Sequence, residues 1–221
     1  VMISVPLNWK SGNFSIFTGI ENYTLIGNDD LIVAGDNAPN VITGNDGNNV
    51  LYGNGGNDTL NGGSGDDTLD GGAGKDVLNG GDGDDTYLIN NVEDSIVDDN
   101  GTDTVQSSET ITIAGYSTIE NLTLVGTKTI DGSGNDNDNL IVGNVKDNRL
   151  DGSAGNDTLN GGQGDDTLIG GEGSNVLDGG EGDADLALYN DESSNYSIST
   201  VDGVWEVTNN ISGDVDQLSN I

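Results

Sequence analysis

The chain has 221 residues, with 37 glycines and 39 Asp and Glu against 5 Lys and Arg, for a formal charge of −34 at pH 7. Such an acidic chain is excluded as a nucleic-acid binder and disfavoured at anionic membranes. With 32% apolar residues it would stay disordered unless something neutralised the acid. It has no Cys and no His, which removes disulfides, zinc sites and Cys/His nucleophile–base pairs.

In chain order, VMISVPLNWK lacks the basic and apolar regions of a signal peptide, so none is expected there. No apolar stretch approaches the ~18 residues of a membrane span, and no membrane insertion is expected. Residues 1–34, carrying Trp9, Phe14 and Phe17, are expected to form N-terminal strands or a cap. From residue 35 a nine-residue phrase, G-G-x-G-x-D-x-L-x, sets the frame. Three tandem copies stand at 62–70 (GGSGDDTLD), 71–79 (GGAGKDVLN) and 80–88 (GGDGDDTYL). The frame extends back to residue 35 and forward through 89–97 and 98–106. There the glycines fade, but Asp94 and Asp103 hold position 6 and Ile96 and Val105 hold the apolar position 8.

Residues 35–106 therefore form a first array, and a fixed short period is the signature of a solenoid. Residues 107–133 read as an irregular β connector, with alternating stretches at Thr110-Ile111-Thr112-Ile113 and Leu122-Thr123-Leu124-Val125. A second array occupies 134–187. A longer duplication relates the two arrays, since Ile20-Glu21-Asn22-Tyr23-Thr24-Leu25 reappears as Ile119-Glu120-Asn121-Leu122-Thr123-Leu124. Residues 188–221 hold two strand patterns joined by Asp202-Gly203, a two-residue hairpin turn. A hairpin suits the end of a solenoid, which otherwise exposes unpaired strands. Helical periodicity is absent.

Within each copy, glycines at positions 1, 2 and 4 permit positive φ or close backbone approach. Positions 7 to 9, such as Thr59-Leu60-Asn61, suit a short strand with one apolar side chain inward. Two copies make one coil of 18 residues, and coils stack at the ~4.8 Å strand spacing. Position-6 carboxylates 18 residues apart then face each other at roughly 5 Å, a repulsion of ~3 kcal/mol per pair at an effective dielectric of ~20. A slender core does not offset several such terms, so the metal-free chain is expected to be largely unfolded. Ca²⁺ reverses the sign, since it accepts 6–8 oxygen ligands, backbone carbonyls among them, in flexible geometry; Mg²⁺ fits less well.

On these residues the chain resembles the RTX (repeats-in-toxin) family of haemolysin-type calcium-binding repeats. The resemblance implies an all-β, right-handed parallel β-roll, here with a C-terminal β-hairpin cap. It also implies the ligand sets. One turn gives carbonyls at positions 2 and 4 with its position-6 carboxylate, and the turn 18 residues on gives carbonyls at positions 1 and 3 with its own. Carried over, one site is Asn54, Gly56 and Asp58 with Gly71, Ala73 and Asp76. Another is Gly63, Gly65 and Asp67 with Gly80, Asp82 and Asp85. Weaker extensions pair Asp76 with Asp94 and Asp85 with Asp103. Asn40 and Asn49 replace Asp in the first array, and Asn139, Asn148 and Asn175 in the second, so these are expected to be weaker or water-completed sites. The second array's best pairs are Asn175 with Asp157 and Asn148 with Asp166. Ala184 breaks the pattern, with Asp183 or Asp185 available to shift in. In all, roughly five to eight calcium ions are expected, better filled in the first array.

Other readings carry less. Gly71-Gly72-Ala73-Gly74 looks like a phosphate-cradling loop, but such loops need a following helix. An EF-hand at Asp136 lacks its bidentate Glu. Trp9 and Trp205 are expected in cap packing rather than in a sugar-stacking platform. The leading expectation is a calcium-folded, non-enzymatic, monomeric module of a secreted bacterial protein. The family resemblance implies type I export of the unfolded chain and folding outside the cell on Ca²⁺. The alternative is a structural or adhesive cell-surface spacer, or a glycan-binding module, of a larger protein.

Overall fold

In a computed structural model of the chain, residues 3–4 and 19–221 are described. The expected aromatic cap residues Trp9, Phe14 and Phe17 lie outside them. The chain divides into two compact units, Val1–Gln106 and Ser107–Ile221. Both are built from short parallel strands, and the one helical element among the described residues is a 3₁₀ turn at Ser193–Asn195.

In the first unit, one sheet runs in the order β1 (Ile3–Ser4), β2 (Asn22–Thr24), β4 (Val41–Thr43), β6 (Thr59–Ser64), β8 (Val77–Asp82), β10 (Ser95–Val97). A second sheet takes the intervening strands β3 (Ile32–Ala34), β5 (Val50–Tyr52), β7 (Thr68–Asp70), β9 (Thr86–Ile89) and β11 (Asp103–Ser107). Successive strands of the chain thus alternate between sheets, as two repeats per coil require. Paired residues are 18 apart: Ile42 faces Leu60, Leu60 faces Leu78, and Leu51 faces Leu69. Short strands such as β4, β5 and β7 keep the middle side chain buried and the flanking ones more exposed, the alternation a pleated strand imposes. The core is consequently a double file of position-8 side chains: Ile42, Leu60, Leu78 and Ile96 under one sheet, and Leu51, Leu69, Tyr87 and Val105 under the other.

β6 and β8 are twice the expected length. They run on through their glycines, pairing Gly63 with Gly81 and Ser64 with Asp82. Gly63 and Gly81 take φ of +123° and +109°, so the glycines prolong the ladder around a bend that other residues could not follow.

The second unit repeats the plan. One sheet holds β12 (Ile111–Thr112), β14 (Gly132–Ser133), β16 (Arg149–Asp151), β18 (Thr167–Ile169) and β20 (Leu186–Ala187). The other holds β13 (Ile119–Leu124), β15 (Leu140–Val142), β17 (Thr158–Asn160) and β19 (Val176–Asp178). Ile141, Leu150, Leu159, Leu168 and Leu177 fill its core. The register slips at the broken repeat, where Thr167 pairs with Leu186, 19 residues on, and Leu186 is left half exposed.

Beyond β20 the chain leaves the coil and forms a hairpin from β21 (Tyr196–Val201) and β22 (Val204–Asn209). Its turn residues Asp202 and Gly203 take φ of +52° and +89°, the double positive φ that a tight hairpin turn demands. β22 pairs antiparallel with β23 (Val215–Ser219), which lies parallel to β19 and covers its open edge.

Candidate metal centre

The turns between strands bring the position-6 side chains into two ladders in each unit. In the first unit the Asn40 N–H donates to Asp58 Oδ1 at 2.7 Å, the Asp58 N–H to Asp76 Oδ1 at 2.7 Å, and the Asp76 N–H to Asp94 Oδ1 at 3.0 Å. On the other edge Asn49 donates to Asp67 at 2.6 Å, Asp67 to Asp85 at 2.7 Å, and Asp85 to Asp103 at 2.7 Å. The second unit continues the scheme through Asn139 to Asp157, Asp157 to Asn175, and Asn148 to Asp166. Each of these carboxylates therefore accepts one backbone N–H from the coil before it, 18 residues earlier.

The other oxygen is the informative one. Oδ2 of Asp58, Asp67, Asp76, Asp85, Asp94, Asp157 and Asp166 is buried without a hydrogen-bond partner. Around it, position-1 glycines leave an oxygen-lined cradle. A Cβ on Gly53 would collide with both Asp58 Oδ2 and the Gly71 carbonyl oxygen, and one on Gly62 with Asp67 Oδ2 and the Gly80 carbonyl. Gly152 and Gly161 meet Asp157 and Asp166 in the same way, with the Gly170 and Gly179 carbonyls opposite. An anionic oxygen and a carbonyl oxygen thus converge where no side chain fits.

Burial sets the electrostatics. It raises the pKa of every one of these acids, against the opposing effect of the N–H that each accepts. Asp58, Asp67, Asp94 and Asp166 are pushed up to about 6, and Asp85 and Asp157 to about 7. Neighbouring carboxylates add to the rise, Asp76 acting on Asp58, and Asp67 and Asp98 on Asp85. A buried, half-satisfied carboxylate is costly and resolves by taking a proton or a cation. Carboxylate and carbonyl oxygens without nitrogen or sulfur form the donor set of a hard cation, and the dense turns suit calcium.

The structure brings both leading expected sets together. Between Asp58 and Asp76, the Asn54 carbonyl accepts the Ala73 N–H at 2.7 Å and the Ala73 carbonyl accepts the Gly56 N–H at 2.9 Å, with the Gly71 carbonyl at the cradle. Between Asp67 and Asp85, Gly63 pairs with Gly81, and the Asp82 carbonyl accepts the Gly65 N–H at 2.9 Å. Asn54 and Gly56 adopt φ of +72° and +118°, which turns this segment back across the coil.

Asparagine at position 6 behaves differently from aspartate. Oδ1 of Asn40, Asn49, Asn139 and Asn148 each accepts the backbone N–H four residues earlier, at 2.8 Å. Their amide nitrogens donate as well: Asn40 to the Ile20 carbonyl, Asn49 to Asn45 Oδ1, Asn139 to the Glu120 carbonyl and Asn148 to the Ile130 carbonyl. These turns are closed by the protein's own hydrogen bonds. Asn175 is the exception, since its Oδ1 faces the Asp157 N–H as an aspartate's would.

Three further acids join these sites: Asp185, which the sequence offered as an alternative to Asp183, and Asp216 and Asp98, which it did not signal. Asp185 shifts into the place that Ala184 left, accepting the Asp166 N–H at 2.8 Å across a 19-residue step. Asp216 accepts both the backbone N–H and the side-chain amide of Asn175, at 2.8 and 2.9 Å, so the tail adds a rung to the ladder. It lies 41 residues on, where no repeat spacing signals it. Asp98 is the third, at a position that the glycine-rich copies give to glycine, and its carboxylate lies within 4.8 Å of those of Asp85 and Asp103.

Stacked parallel coils whose turns hold buried, cation-seeking carboxylates define a calcium-binding β-solenoid. The family model of the RTX calcium-binding nonapeptide repeat matches residues 26–60, 34–69, 52–87, 133–168 and 161–183, more than half of the chain, and the chain belongs to that family. A search among curated proteins finds no match.

Proposed function

We propose that the chain is a calcium-folded module of a secreted bacterial protein, exported unfolded and folding outside the cell. The observation that carries this reading is the row of buried Oδ2 atoms left without hydrogen-bond partners. Asp58 and Asp76, with carbonyls of Asn54, Gly56, Gly71 and Ala73, hold one ion; Asp67 and Asp85, with Gly63, Gly65, Gly80 and Asp82, hold another. Asp94 and Asp103 extend the two rows, and Asp157, Asp166 and Asn175 serve the second array. Bound calcium supplies the positive charge that buried carboxylates otherwise draw from protons. The ligands' own contribution is to hold oxygens in place and exclude water, so binding energy becomes folding energy. Sites of the extracellular kind, with dissociation constants of about 10⁻⁴–10⁻³ M, would stay empty in the cytosol. The role is binding and folding rather than catalysis, since the chain has no His or Cys and its buried acids are committed to the ladders.

Asn40, Asn49 and Asn148, whose amides are already satisfied, act in this reading as metal-free turns at the start of each array rather than as weak sites. Equilibrium dialysis against ⁴⁵Ca²⁺ tests the assignment. Roughly five to eight ions should bind to the full chain. Asp67→Asn and Asp157→Asn should each lower the count, while Asn49→Ser leaves it unchanged. A count unaltered by both aspartate substitutions overturns the ligand assignment.

A further inference from the structure

The last coil of the first unit departs from the repeat in two residues at once. Position 1 of the final copy is Asp98 where the preceding glycine-rich copies carry glycine, and position 8 of the copy 80–88 is Tyr87 where the four copies before it carry leucine. The family-model match ends at residue 87 in this unit, so Asp98 and Asp103 lie outside the matched repeats. Tyr87 is fully buried in the core file, yet its hydroxyl reaches the turn. It accepts the Gly80 N–H at 3.0 Å and donates to Asp98 Oδ1 at 2.6 Å.

Three carboxylates meet there, those of Asp85, Asp98 and Asp103, with oxygens within 4.8 Å of one another. Asp85 is 1% exposed, and its Oδ2 is aimed into the group with no hydrogen-bond partner. A Cβ on Gly80 would collide with that oxygen and with the Tyr87 hydroxyl, so the two share one cradle. In the Gly53 and Gly62 cradles the second oxygen is a backbone carbonyl. Here the coil 18 residues on offers a side-chain carboxylate in that region.

We propose that Asp85, Asp98 and Asp103, with the Tyr87 hydroxyl, form a three-carboxylate cation site that binds calcium and trivalent lanthanides more tightly than any other turn of the chain. The inference rests on the calcium reading above and adds Asp98 and Tyr87 as site residues. Ligand charge count is one of the properties that tune calcium affinity, and this site has one more carboxylate than the paired turns. Its added charge favours a trivalent ion still more. Tyr87, hydrogen-bonded to a ligand carboxylate, is placed to pass excitation energy to a lanthanide bound there.

The test is a Tb³⁺ titration of the full chain, exciting tyrosine and reading Tb³⁺ emission, with Ca²⁺ competition. The first equivalent of Tb³⁺ should give sensitised emission. Tyr87→Phe should abolish most of it while total Tb³⁺ binding persists. Asp98→Asn, which keeps the tyrosine, should weaken the first bound ion by about tenfold or more. Glu206→Gln, on the hairpin strand β22 and in no ion site, should leave the first equivalent unchanged. First-equivalent emission in Tyr87→Phe equal to that of the unsubstituted chain overturns the proposal, as does an unshifted first equivalent in Asp98→Asn. If the unsubstituted chain binds no Tb³⁺ or Ca²⁺ at all, the calcium reading itself fails, and the two failures are thus distinguished.

Discussion

Lowering the pH should do part of what calcium does. Each ladder aspartate has a folded pKa raised above its unfolded value of about 3.8, so its contribution to stability is present at low pH and is lost as pH rises through the folded pKa. For Asp58, Asp67, Asp94 and Asp166, at about 6, and Asp85 and Asp157, at about 7, the loss begins near pH 4 and is complete by about pH 7, so that part of it falls in the accessible window from pH 5 to 8. Linkage across that window gives about 1 to 3 kcal/mol per group, or about 10 kcal/mol for the set. Halving this for residual solvent screening leaves about 5 kcal/mol, comparable with the whole stability of an ordinary domain. The metal-stripped chain, followed by far-ultraviolet circular dichroism and hydrodynamic radius, should therefore gain β structure and contract on going from pH 8 to pH 5. With saturating calcium the same pH change should have little effect. A metal-free chain that is equally unfolded at both values, or more folded at pH 8, would refute the reasoning.

The two kinds of turn should separate under substitution. Asn49→Ala strands the buried Asn45 N–H and should cost the calcium-loaded chain about 1–3 kcal/mol, read from urea melts, without lowering the number of ions bound. Asp67→Asn should weaken the calcium-loaded chain but strengthen the metal-free chain at pH 8, because it removes a buried charge; the same sign in both conditions would contradict this. Leu69→Ala empties a fully buried place in the core file and should cost about 2–5 kcal/mol in the calcium-loaded state. Gly72→Ala forces a Cβ into φ of +82° against the Asn54 carbonyl. It should raise the calcium needed for half-folding, and an unchanged midpoint would show that this turn is not part of a site.

The period was legible because the coil holds two copies: a nine-residue phrase places Asp58 and Asp76, or Leu60 and Leu78, directly above one another, and spacing alone predicts the pairing. Other features depend on three-dimensional closure. Asp98 stands at a glycine position, and only the reach of Tyr87 across the core shows that the two meet. Asp216 enters the ladder after an excursion through a hairpin, so no offset announces it. Asn40 and Asn49 read as diluted aspartates, but an amide donates as well as accepts. The local backbone uses both capacities, which makes these turns self-sufficient rather than weakly charged. The long strands β6 and β8 were hidden because Gly-Gly reads as a break, whereas here it carries the ladder around a bend.

The central claim is that calcium makes this sequence a folded solenoid at neutral pH. Far-ultraviolet circular dichroism of the full chain at pH 8, first in EDTA and then through a calcium titration to the millimolar range, tests it most directly. The expected result is a largely unfolded spectrum in EDTA and a cooperative rise in β signal with calcium that magnesium does not reproduce. Equal β content in EDTA and in calcium would contradict it.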